Sequence, residues 1–114
     1  MVDLLLERGA DPTLVDGHGT TPLMAASLGG SVECVRRLLG HELARTTINA
    51  QDTDGVCALG YACKHGHNVI VVLLLEAGAD PTLKDTDGQT PMDLAHTNGH
   101  QECVQLVLVS TYHT

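Results

Sequence analysis

The sequence has no phenylalanine, no tryptophan and only two tyrosines, Tyr61 and Tyr112. That excludes a globule centred on aromatic rings. The 43% of apolar residues are instead Leu, Val, Ala, Ile, Met and Cys, sizes that suit thin helices stacked closely. Bases are scarce too: six Lys and Arg stand against 14 Asp and Glu, for a formal charge of −8. Phosphate binding needs a Lys/Arg patch and none exists, so nucleic acid is excluded as the main partner. The longest apolar run, residues 69–75, falls far short of the roughly 20 residues that span a bilayer. Membrane insertion is therefore not expected, and Met1 leads into a charged segment, MVDLLLERG, that does not read as a signal peptide. No P-loop, no His-Glu-x-x-His and no Ser–His–Asp order is present. The chain therefore reads as no enzyme, with no cofactor.

What is present is a repeat. GADPTL at 9–14 recurs at 78–83, 69 residues later. Within that span Gly19, Gly55 and Gly88 mark one tight turn, spaced 36 and then 33 residues apart, so one repeat carries three extra residues. The copies are DGHGTTPLMAASLGG, DTDGVCALGYACKHGH and DTDGQTPMDLAHTNGH, each followed by an apolar segment. Thr21-Pro22 and Thr90-Pro91 start inner helices, with Thr as N-cap and Pro where a missing N–H costs nothing. An outer helix is predicted over 32–40. HELARTTIN then replaces the short Gly-Ala-Asp turn and is expected to lengthen that helix or its exit loop. In the second repeat Cys57-Ala58 replaces Thr-Pro, a lost cap worth about 1 kcal/mol, and Gly60 inside the helix costs about 1 more. Slower exchange is thus expected for 91–97 than for 58–65.

These three registered copies resemble the ankyrin-repeat family over nearly the whole chain, a repeat of about 33 residues with Thr-Pro-Leu and paired helices. The resemblance implies an all-α solenoid of stacked antiparallel helix pairs with projecting β-hairpin loops. It divides the chain into a half-repeat at 1–15, whose Met1, Leu4 and Leu5 align with Ile70, Leu73 and Leu74, and repeats at 16–51, 52–84 and 85–114. One departure runs through all three copies. The family's His after Thr-Pro-Leu is Met24, Gly60 and Asp93 here, which removes the Thr–His hydrogen bonding expected there. The last outer segment, with Cys103, Val104, Leu106, Val107, Leu108 and Val109, lacks the polar face that normally seals a terminal repeat. Self-association through bare terminal helices is therefore one expected behaviour.

The four cysteines fit the repeat register. Cys34 and Cys103 lie 69 apart, at one repeat position where Ile70 sits in the middle copy. They read as small hydrophobes two layers apart. A disulfide needs Cα atoms within about 7 Å, whereas helix layers stack about 8–10 Å apart. Reduced cysteine and an intracellular location, cytoplasmic or nuclear, follow as expectations.

In the family resembled, partner proteins bind the concave face and hairpin tips. Here Leu59, Ala62 and Cys63 are predicted to face inward, leaving Tyr61, Lys64 and His65 on an outer stripe. Its mates are Ala25, Leu28 and Gly29, then Leu94, Thr97 and Asn98. The predicted surface combines Leu28, Tyr61, Lys64, His65, Thr97 and Asn98 with the tips His18, Thr20, Thr53, Asp54, Val56, Asp87 and Gln89. Tyr61, the only aromatic on it, is the expected anchor for a protein or peptide, since Tyr and Arg dominate interfaces. Two further readings concern modification and metal. Asn49 stands where related repeats carry a β-hydroxylated asparagine, against a plain turn residue. Cys63, His65 and His67 with His96 and His100 have zinc-ligand chemistry, but their layers lie too far apart for bonds of about 2.0 Å to one ion, so no metal is expected. The competing functions are an interaction module, a structural or regulatory segment of a larger protein, and a self-associating chain.

Overall fold

The computed structural model describes residues 15–112. The half-repeat predicted at 1–15 lies almost entirely outside the described residues. Seven helices follow, numbered here in chain order: α1 Pro22–Gly29, α2 Val32–Leu39, α3 Glu42–Arg45, α4 Ala58–Lys64, α5 Asn68–Glu76, α6 Pro91–Thr97 and α7 Gln101–Tyr112. Helices α1, α4 and α6 form an inner row, each packed on the next; α2, α5 and α7 form an outer row behind them. Each inner helix also packs against its own outer helix. The core lies between the rows. Leu23, Met24, Val35, Leu38, Leu59, Ala62, Cys63, Ile70, Leu74, Cys103 and Val107 are all sealed there.

The local chemistry explains the helix starts. Thr21 Oγ1 accepts from the Met24 N–H at 3.1 Å, and Met24 Sδ accepts back from the Thr21 N–H. Thr90 and Asp93 form the same reciprocal box, with Asp93 Oδ2 accepting from the Thr90 N–H at 3.1 Å. The departures at Met24 and Asp93 thus supply acceptors of their own. The cap expected to be missing in the second repeat is also filled: Cys57 Sγ accepts from the Gly60 N–H at 3.4 Å. Gly60 has a packing reason as well. A Cβ there would lie 2.9 Å from Val56 Cγ1.

Of the two alternatives for the insertion, a longer outer helix or a longer exit segment, the structure has the second. The outer helix α2 stops at Leu39 and is not lengthened; the added residues form a separate short helix, α3. Ala44, Thr47 and Ile48 are buried, and Thr47 Oγ1 donates to the Ala44 carbonyl at 2.7 Å. The segment is therefore an extra piece of core behind the first repeat. Asn49 closes it by accepting from the Asp80 N–H at 2.7 Å, 31 residues on.

No strand is assigned among the described residues, so the projecting loops are tight turns where β-hairpins were expected. Each is closed by one aspartate. Asp16, Asp52 and Asp85 each accept two turn N–H groups through Oδ1, and each donates its own N–H across the turn, to Thr20, Val56 and Gln89. Successive turns are bonded to one another: Thr53 N–H donates to His18 O at 2.9 Å and Thr86 N–H to Asp54 O at 3.0 Å. At Gly55 (φ 77°) a Cβ would sit 2.9 Å from the Asp85 Cα, so the neighbouring turn passes directly over it. At the other end of the inner helices, His67 covers Gly30 and bonds the Leu28 carbonyl at 3.3 Å; His100 covers Gly66 in the same way.

Candidate partner-binding surface

The tips and the outward stripe of the inner helices meet in a groove of about 430 Å³ between the second and third repeats. Tyr61, Lys64 and Leu94 come from the helices, with Thr97 and Asn98 at the end of α6; Asp54, Val56, Asp85, Thr86, Asp87 and Gln89 come from the turns. Eight of the residues predicted from sequence are therefore brought together: Asp54, Val56, Tyr61, Lys64, Asp87, Gln89, Thr97 and Asn98. His18, Thr20, Leu28, Thr53 and His65 do not line it. Ala25 holds in the first repeat the place of Tyr61 and Leu94, and is too short to build a wall there. His65 stacks beside His67, ring centroids 6.1 Å apart, at the edge where the helices turn.

Tyr61 is only half exposed. Its ring packs against the core and its hydroxyl donates to Asp52 Oδ2, the oxygen that the turn leaves free. Burial first, then that hydrogen bond and the charges of Asp52, Asp54 and Asp16, push the phenol well above its ordinary pKa, so it stays neutral and a donor. Tyr61 therefore ties helix to turn before it can meet any partner. Beyond it the groove is acidic. Asp54, Asp85 and Asp87 face Lys64, the one cation among the lining residues. Burial, then Lys64, His67 and His100, lower the His65 pKa, so it adds little positive charge at neutral pH. Gln89 Nε2 reaches Thr97 Oγ1 at 3.4 Å and Asn98 Nδ2 caps Leu94 O at 2.7 Å, which fixes the far wall.

Asp85 is the lining carboxylate that the predicted surface did not include. Its register with Asp16 and Asp52, beside the Tyr61 stripe, was the signal that could have found it. Asn49, the candidate for hydroxylation, lies elsewhere, its side-chain oxygen engaged by Asp80. All four cysteines are free; Cys57, Cys63 and Cys103 are buried, whereas Cys34, expected to match Cys103, is half-buried. Burial raises the thiol pKa of Cys57, Cys63 and Cys103, which makes them inert packing groups. Among the described residues no three His, Cys, Asp or Glu side chains converge as metal ligands, and no helix is long and apolar enough to cross a membrane.

The family model for Ankyrin repeats (3 copies) matches residues 1–85 and 46–113, nearly the whole chain. The chain belongs to the ankyrin-repeat family. Among relatives, it is 38% identical to the cattle (Bos taurus) Ankyrin repeat and SOCS box protein 3, over 77% of this chain and 17% of that protein. It is 31% identical to the Arabidopsis thaliana Putative E3 ubiquitin-protein ligase XBAT31, over 96% of this chain and 26% of that protein. It is 37% identical to the human SH3 and multiple ankyrin repeat domains protein 1, over 91% of this chain and 5% of that protein. The chain thus spans about a quarter or less of each of these relatives. Ankyrin repeats are in general protein-interaction modules, and here they form a stack whose helices and turns are fixed to one another.

Proposed function

We propose that this ankyrin stack is a non-catalytic interaction module that holds an extended segment of a partner protein in the groove between α4, α6 and their turns. The observation that carries the reading is the groove itself: apolar floor of Val56, Tyr61 and Leu94, acidic wall of Asp54, Asp85 and Asp87, on turns bonded one to the next. An extended segment with a Lys or Arg beside an apolar residue matches that lining, and preformed walls cost little ordering on binding. Reduced, buried cysteines favour an intracellular setting.

The test is affinity capture from lysate with the wild type and with Asp87→Arg/Thr97→Trp, which changes two exposed positions in the groove. The proposal expects specific partners on the wild type, lost on the double variant and weakened by raising salt from 0.05 to 0.5 M, roughly 14 to 4 Å of screening length. Equal capture by both proteins refutes the groove; salt-insensitive capture refutes the cationic segment. Tyr61→Ala is a poorer probe than the sequence suggested, because it also breaks the bond to Asp52. The short share of each relative covered favours a second reading, in which the segment belongs to the same, longer polypeptide.

A further inference from the structure

A second groove, of about 460 Å³, lies on the opposite side of the stack, between the outer helices α5 and α7. Its floor is aliphatic: Val72 and Leu75 from α5, Leu106 and Val109 from α7. Val109 is 63% exposed, so this apolar surface faces solvent. The groove exists because the two helices are unequal. Helix α5 ends at Glu76 and the chain turns away through Ala77 and Gly78, whereas α7 runs on past the equivalent Val109 to Tyr112. At its start the helices are held together: Asn68 Nδ2 donates to Glu102, and Cys103 Sγ donates to Asn68 Oδ1 at 2.7 Å.

The only charges lining the groove are Glu76 and Glu102. Neither carboxylate has a basic partner among the described residues. In repeat register Glu102 stands level with Val69 and Glu76 with Val109, seven residues apart along parallel helices. The carboxylates are thus separated by about 10 Å along the groove, the rise of about two helical turns. Between them the lining is Val72, Leu75 and Leu106, with Gln105 as the uncharged polar side chain.

We propose that this back groove is a second protein-docking site, and that its occupant is an amphipathic helix of a partner protein. That helix carries Lys or Arg at positions i and i+7, over Glu102 and Glu76, and aliphatic residues at i+3 and i+4 over the floor. Charge selects this occupant over the others. A two-fold pairing with a second copy gathers four carboxylates, two from each copy, in one apolar interface between chains of formal charge −8. An anionic membrane meets the same repulsion. A helix laid between two helices is a normal packing arrangement, and helix-in-groove recognition uses this spacing of anchors.

The test uses two synthetic helical peptides with one leucine ridge: one with Lys at i and i+7, the other with Glu there. Fluorescence anisotropy measures their binding to the wild type, Val109→Asp, Glu76→Lys and the concave-face control Asp87→Lys, each checked for native circular dichroism. All three positions are exposed, so the fold survives the changes. The proposal expects the Lys peptide to bind, with affinity falling about tenfold or more in Val109→Asp and Glu76→Lys and by less than about twofold in Asp87→Lys. It is overturned if neither peptide binds, if the Glu peptide binds equally well, or if Asp87→Lys weakens binding as much as Val109→Asp. A dimer by light scattering that Val109→Asp dissolves also overturns it, in favour of a second copy. Because the control lies in the concave groove, failure of one site is read separately from failure of the other.

Discussion

The turn glycines show how one residue type can do two jobs at equivalent positions. Gly55 and Gly88 both have φ near 78°, and both close an aspartate-capped turn. A Cβ on Gly88 meets nothing within 4 Å, whereas a Cβ on Gly55 meets the Asp85 Cα and the Thr86 N at 2.9 Å, both backbone atoms that cannot swing aside. Gly88→Ala therefore carries only the left-handed backbone cost, about 1–2 kcal/mol. Gly55→Ala adds overpacking against the next turn, bringing the loss to about 3 kcal/mol or more. Urea unfolding of the two variants checks this, and equal losses would show that the third turn can yield. The carboxylates of Asp16 and Asp80 follow the same local logic. Turn N–H donors (with the Thr82 hydroxyl leading at Asp80) hold both below the ordinary 3.8, so their support is present above that pH and lost as the pH falls through the folded values.

At the scale of the helix, the second repeat is where local sequence and packing disagree. By propensity α4 is the weak element: a thiol cap in place of a hydroxyl, and Gly60 inside. Yet it lies between α1 and α6 and is backed by α5, with Ala58, Leu59, Gly60, Ala62 and Cys63 all buried. The terminal α6 has inner-row support on one side only among the described residues. Tertiary packing outweighs a propensity deficit of about 1 kcal/mol per site. Contrary to the expectation from sequence, the amides of Tyr61, Ala62 and Cys63 should exchange more slowly than those of Leu94, Ala95 and His96. Hydrogen exchange followed by NMR decides it, and faster exchange in α4 would return the advantage to the local signals. The repeat, its helix pairs and the Thr-Pro starts were legible because each is written in residues close in sequence. So was most of the concave groove, because register alone places Tyr61 beside Leu94 and Asp54 beside Asp87. The Tyr61–Asp52 bond, the Cys57 cap and the fold of the insertion were not, since each depends on where a side chain reaches or on contact with distant chain, as between Asn49 and Asp80, 31 residues apart. The back groove was hidden for a related reason: it arises from where α5 stops relative to α7, a difference in helix length that apolar runs do not mark.

For the molecule as a whole, charge sets the behaviour in solution. The chain carries a formal −8 at pH 7, and copies repel one another. Among the described residues five large apolar side chains are nonetheless exposed, Val15, Leu28, Leu43, Val69 and Val109. Like charge opposes contact between those surfaces. Seven histidines threaten that opposition, because histidine's ordinary pKa is about 6.5. As the pH falls from 7 toward 5 they take up protons while the carboxylates stay ionised, and the formal charge moves from −8 toward about −1. Stability moves the same way at His65. Its folded pKa lies below the 6.5 of the unfolded chain, so the unfolded state binds more protons and stability falls as the pH drops below 6.5. Solubility should therefore be lowest between about pH 5 and 6, near the isoelectric point, and added turbidity there should clear at pH 7.5. His18→Gln/His96→Gln, at two exposed positions, lowers the histidine count from seven to five and should shift the onset of turbidity to lower pH. A scan that stays flat from pH 7 to 5, or an onset that the double variant does not move, would mean that the exposed apolar side chains do not depend on net charge to stay apart.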